Sequence, residues 1–100
     1  MRKFAKEIKK EGEEVELWGW IHRLREIGKK IFIVLRDWSG IVQVVASKEA
    51  VEGKLDVEAS IKVKGVVKKD PRAPGGYEVH ASKVEVIGES SPDWPFHRYL

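Results

Sequence analysis

The stretch GKKIFIVLRDWSGIVQVVAS, residues 28–47, restricts the fold more than any other part of the chain. Before the DWSG segment, Ile31, Ile33 and Leu35 fall at every second position, and after it Val42 and Val44 do the same. Period two in β-branched residues marks a strand with one face covered. Asp37 and Ser39 cap a turn locally and Gly40 accepts a positive φ, so strands over Lys30–Arg36 and Ile41–Ala46 form a hairpin. Alternation then sorts the side chains. Arg36 and Gln43 are costly to bury without partners, so the apolar sets face inward. Phe32 and Gln43 consequently face outward on neighbouring strands, and Arg36 is expected to pair with Asp37 or another carboxylate.

The same period recurs along the chain. EVELWGWIHRL opens a strand at Glu14, with Val15, Leu17 and Ile21 on one face and Gly19 in phase with them; a glycine there marks a bend or a bulge. Ile61, Val63 and Val67 alternate with Lys62, Lys64 and Lys68 in a strand over Ser60–Lys69. DPRAPGG, Asp70–Gly76, is a loop, and Tyr77–Ile87 is a fifth strand, kinked near Ser82. Ser47–Ala59 suits one or two helical turns, with Ser47 as N-cap and Gly53 limiting the length. Five short strands with a small helix between the third and fourth give an all-β, five-stranded OB-fold Greek-key barrel. An SH3-like barrel is the competitor, and it usually lacks that helix. Residues 1–13 read as an N-terminal extension with a short helix docking Phe4 and Ile8, residues 14–88 as the barrel, and residues 89–100 as an exit hinge with Trp94, Phe96 and Tyr99 as aromatic anchors.

One hundred residues fit one small domain. Cysteine is absent, which excludes disulfides and Cys-based zinc sites and suits a reducing cytosol. No stretch approaches a membrane span and the charged start is no signal peptide, so a cytoplasmic protein without a membrane partner is expected. High charge without cysteine also suits heat adaptation. The net charge of +3 is modest, but its basic residues, among them Lys9, Arg23, Arg25, Lys29, Lys30, Lys62, Lys64, Lys68 and Arg72, are numerous enough for one basic face, the alternative being a solvated surface with interspersed salt bridges. His22, His80 and His97 show no metal spacing, and no catalytic triad, Walker loop or paired-acid arrangement is present. No catalysis, cofactor or small-molecule substrate is expected of this chain.

An outward Phe beside an outward Gln has a use. A base stacked on an aromatic ring gains roughly 1–3 kcal/mol, and an amide reads a base edge by paired hydrogen bonds. Pattern alone leaves open the plainer alternative, in which Phe32 packs beneath the N-terminal segment or a loop and Gln43 is an ordinary surface residue. Arg23 and Arg25 are likewise either a solvated strand end or contacts to phosphate and base beside Phe32. Glu78, after the Gly75–Gly76 turn, is a solvated turn residue or an acceptor for a base amino or imino group.

Residues 18–44, WGWIHRLREIGKKIFIVLRDWSGIVQV, resemble the N-terminal anticodon-binding OB domain of class IIb aminoacyl-tRNA synthetases. The shared features are Gly19-Trp20, the R-x-x-G of Arg25 to Gly28, the F-x-x-L-R-D of Phe32 to Asp37, and the G-x-V-Q of Gly40 to Gln43. Asp70 to Ser90 look most like the asparaginyl enzymes, with the aspartyl enzymes next, and the resemblance covers roughly residues 14 to 94. It implies that Phe32 stacks on the middle anticodon uridine and that Gln43 and Arg25 contact it. It places Glu78 near the other anticodon bases. Arg23 and Lys29, from the basic set, are also expected to contact RNA. The segment Ser47–Ala59 is shorter than the family's usual connection. HRYL, at residues 97–100, resembles the opening of the family's ATP-dependent catalytic domain, so the chain looks cut at the hinge. The partner expected is a tRNA anticodon loop; a general single-strand binder and a protein-interaction module are the alternatives.

Overall fold

The structure is a computed structural model and describes residues 2–88. Its barrel strands are β1 (Glu14–Ile27), β2 (Lys30–Asp37), β3 (Gly40–Ser47), β4 (Ser60–Lys69) and β5 (Tyr77–Gly88). β1, β2 and β3 run antiparallel in succession, β3 lies parallel to β5, and β5 and β4 run antiparallel back to β1. The sheet therefore closes in the order 1-2-3-5-4-1, which is the five-stranded OB barrel expected. Leu17, Ile21, Ile33, Leu35, Val44, Ile61, Val63, Val67, Val79 and Val84 fill its interior and are fully buried.

β1 belongs to two sides of the barrel. Its first half pairs with β4, from Glu14 opposite Val66 to Trp20 opposite Ser60, and its second half with β2, from Trp20 opposite Arg36 to Ile27 opposite Lys30. Gly19 sits where the chain turns from one partner to the other. A Cβ there would drive into the Arg36 carbonyl oxygen and come 2.8 Å from Leu35 Cδ2. Three residues on, the register slips between Ile21 and Arg23, leaving His22 as the extra residue of a bulge. β1 thus contains the bulge that its sequence suggested, but at His22, while Gly19 is required by a close approach to β2. β5 is kinked at Ser82, also as expected: Lys64 faces Lys83 but Gly65 faces Ala81, and the Ser82 hydroxyl donates to the Lys64 carbonyl oxygen at 3.2 Å.

Between β3 and β4 the helix is a single 3-10 turn, Lys48–Ala50. It cannot extend, because Val51–Glu52 next pair in parallel with Val84–Glu85 of β5. The N-terminal helix is likewise one 3-10 turn, Ala5–Glu7. Asp37 anchors it: its carboxylate accepts the Ala5 backbone N–H at 2.8 Å, the Ser39 N–H at 2.8 Å and the Ser39 hydroxyl at 2.6 Å. Ala5 and Ile8 are buried against the barrel end. Asp37 is therefore spent on the N-terminal segment, and the expected pairing with Arg36 does not form; Arg36 is exposed and has no ion pair with any described residue. The expected hinge at residues 89–100 lies outside the described residues. No helix among the described residues is long and apolar enough to cross a membrane.

Candidate nucleic-acid interface

The bulge at His22 sets up the site. Without it, strict alternation from the buried Ile21 would turn Arg23 and Arg25 inward. The extra residue reverses the phase, so Leu24 packs against the core and Arg23 and Arg25 are exposed on the outer surface.

There they begin two rows that cross four strands. In one row Arg25 of β1 lies opposite Phe32 of β2, Phe32 opposite Val45 of β3, and Val45 opposite His80 of β5. In the other, Arg23 lies opposite Val34, Val34 opposite Gln43, and Gln43 opposite Glu78. The parallel contact of β3 with β5 is what brings Gln43 and Glu78 together from 35 residues apart. Both rows line one groove of about 520 Å³, which Lys30 borders from the β1–β2 end and Asp70 and Arg72 from the loop before β5.

Phe32 is half-buried and faces the groove. The N-terminal segment does not cover it; Phe4 instead meets Trp38, edge to face at 5.1 Å between ring centroids. Gln43 stands diagonally across from Phe32, where neighbouring strands place side chains about 7–8 Å apart. That separation suits a pyrimidine lying on the ring with its edge toward the amide. Gln43 Nε2 donates to Glu78 Oε1 at 2.8 Å. Glu78 is buried, and its other oxygen accepts from His80 Nε2 at 2.6 Å. Asp70 is held below the usual carboxylate range, chiefly by the Arg72 backbone N–H, with partial desolvation opposing and the Arg72 guanidinium adding to it. A carboxyl lowered in the folded state lends stability at neutral pH, which is lost as pH falls through the lowered value.

Of the residues singled out in the sequence, Arg23, Arg25, Phe32, Gln43 and Glu78 converge on this groove. Lys29 does not line it: it is exposed in the Gly28–Lys29 turn at the groove's end, and its neighbour Lys30 takes the lining position. The single basic face does not form either. Lys62 pairs with Glu16 at 3.6 Å and lies 5.5 Å from the Trp18 ring, on the β1–β4 side of the barrel. Arg23, Arg25, Lys30 and Arg72 carry the groove's positive charge, with Glu78 and Asp70 set among them. His80 and Asp70 were not picked out as site residues by pattern, and Arg72 was marked only as one of many basic residues. The signal available for His80 was its spacing: two residues after Glu78 on a strand, it shares that residue's face.

The groove is an open, cation-rimmed surface with an aromatic platform and a tethered amide, a combination that binds single-stranded nucleic acid. Comparison with known proteins agrees. The family model of tRNA anti-codon type, described as an OB-fold nucleic acid binding domain, matches residues 15–87. Asparagine–tRNA ligase of Thermococcus gammatolerans is 58% identical over 83 residues, covering 77% of this chain and 19% of the ligase. Aspartate–tRNA(Asp/Asn) ligase of Saccharolobus solfataricus is 45% identical over 91 residues, covering 87% of this chain and 21% of the ligase. The crystal structure of asparaginyl-tRNA synthetase from Pyrococcus horikoshii complexed with asparaginyl-adenylate superposes with a TM-score of 0.81 at 41% identity, covering 97% of this chain and 25% of that one. The chain spans about a fifth of the length of the curated relatives it matches. With its closed barrel, its groove and a family match over residues 15–87, the chain belongs to the OB-fold nucleic-acid-binding family of tRNA anticodon domains, with asparagine– and aspartate–tRNA ligases as its relatives.

Proposed function

We propose that the groove binds the anticodon loop of a tRNA of the asparagine or aspartate type, with the middle uridine stacked on Phe32 and its edge read by Gln43. Phe32 beside Gln43 on one outer face, with Arg25 directly across from the ring, is the observation that carries this reading. Uridine offers an N3–H donor flanked by carbonyl acceptors, which an amide matches with one acceptor and one donor. Arg23, Lys30, Arg72 and the nearby Lys29 hold the phosphates. Asparagine, aspartate and lysine anticodons share the middle uridine, so reading that base does not separate the three. Within a longer ligase the domain would select tRNA for ATP-dependent aminoacylation in the cytoplasm, with the chemistry performed by other residues.

Titration of anticodon stem-loops that differ only at the middle base tests the reading. The uridine loop is expected to bind at least tenfold more tightly than the cytidine loop, the difference one hydrogen bond to a charged or tethered group makes. Binding should also weaken steeply with salt. Equal affinity for the two loops would contradict base reading and leave a general single-strand binder.

A further inference from the structure

Both oxygens of Glu78 are already engaged. Oε1 accepts from Gln43 Nε2 at 2.8 Å, Oε2 accepts from His80 Nε2 at 2.6 Å, and the residue is only 7% exposed. One acceptor site on each oxygen is thereby taken, out of about four on the carboxylate. Its chemistry constrains Gln43. An ionised carboxylate only accepts hydrogen bonds, so it holds the NH₂ end of the amide and turns the carbonyl Oε1 the other way.

The direction of that amide matters for base identity. Uridine puts a donor, N3–H, next to an acceptor, O4. Cytidine puts an acceptor, N3, next to a donor, its N4 amino group. A freely rotating Gln amide satisfies either base by turning over and so distinguishes them poorly. An amide whose NH₂ is tied down keeps Oε1 opposite N3, where uridine donates and cytidine presents a lone pair. We infer that Glu78, steadied by His80, is a positioning residue that fixes the Gln43 amide in one orientation, and that this fixed orientation separates uridine from cytidine at the middle position. The inference rests on the groove being the anticodon site.

The test uses Glu78→Gln, which keeps the shape but gives position 78 a donor as well as an acceptor, so that the Gln43 amide is free to turn over. Uridine and cytidine stem-loops are titrated against the 100-residue chain and this variant. The ratio of the two affinities is expected to fall from tenfold or more to within about threefold, the loss of one hydrogen bond to a charged group. The cytidine loop should gain affinity while the uridine loop weakens. A ratio that stays at its starting value in the variant overturns the inference. His80→Ala, which removes the outer support of Glu78, is expected to lower the ratio by a smaller step and carries the same test should Glu78→Gln fail to fold. A starting chain that binds both loops equally ends the reading of the groove itself, and the Gln43 side-chain NH₂ signals in NMR of the free protein then decide on the tether alone. Those signals are expected to show a hydrogen-bonded proton that moves upfield in Glu78→Gln. Signals that do not move would show that Glu78 does not hold the amide.

Discussion

Replacing Phe32 with alanine is expected to weaken binding of a uridine-containing anticodon stem-loop by about 1–3 kcal/mol, roughly 5- to 150-fold, the measured range for one base stacked on an aromatic side chain. The ring has few other duties. It faces outward, is half-buried, and has only Arg25 and Val45 directly opposite it on the neighbouring strands. The interior of β2 is filled by Ile31, Ile33 and Leu35 instead. The substitution should therefore leave a folded barrel, checked by its circular dichroism and thermal transition, while isothermal titration reads the loss of affinity. A loss well under 1 kcal/mol would mean that no base lies on the ring. The uridine-over-cytidine preference should shrink as well, because an unstacked base no longer presents a fixed edge to Gln43.

The second large effect concerns the barrel. Gly65 to alanine is expected to destabilise the fold by about 3 kcal/mol, at the upper end of what overpacking costs. Gly65 is buried where β4 crosses the Ser82 bulge of β5. A Cβ there would drive into the His80 carbonyl oxygen and lie 2.9 Å from the Ala81 Cα and from the His80 carbonyl carbon. Those are backbone atoms, so no side chain can rotate away; the two strands must separate. Small domains have a net stability of only 5–15 kcal/mol, so urea unfolding should show a large drop in midpoint. His80 belongs to the same stretch of β5, and the strain should reach the Glu78 side of the groove. A variant as stable as the parent chain would mean that β4 and β5 pair more loosely than their register indicates.

Much of this was legible in the sequence, and the failures have physical causes. The facing of Phe32 and Gln43 followed from alternation, because β2 and β3 are regular strands with one dry face and a charged or amide group on the other. The exposure of Arg23 and Arg25 rested on a bulge. A bulge adds one residue and reverses every later facing in the strand; the only trace of it in the sequence is that Leu24 follows Ile21 after three positions instead of two. The basic face failed for a different reason. Lys62 and Lys64 of β4 lie where that strand pairs with β1, away from the groove, whereas Lys68 lies opposite Glu78 beside it, and no local pattern encodes the curvature that divides them. The helix after β3 was overestimated because Val51–Glu52 were needed for a parallel pairing with β5, a long-range contact that overrides local preference. Arg36 was assigned to Asp37 by proximity in sequence, whereas Asp37 binds the N-terminal turn from 32 residues away. The contact of Gln43 with Glu78 depends on a parallel register between β3 and β5, which alternation does not set.

The central claim is that one face of the barrel, and one position on it, receives the middle anticodon base. The most direct measurement is an NMR titration of the isotopically labelled chain with a uridine-containing anticodon stem-loop. The largest shifts are expected at Arg25, Phe32, Gln43 and Glu78, with intermolecular contacts from the Phe32 ring to the middle base. Shifts centred on the Trp18–Lys62 side of the barrel, or contacts from Phe32 to no base at all, would contradict the account.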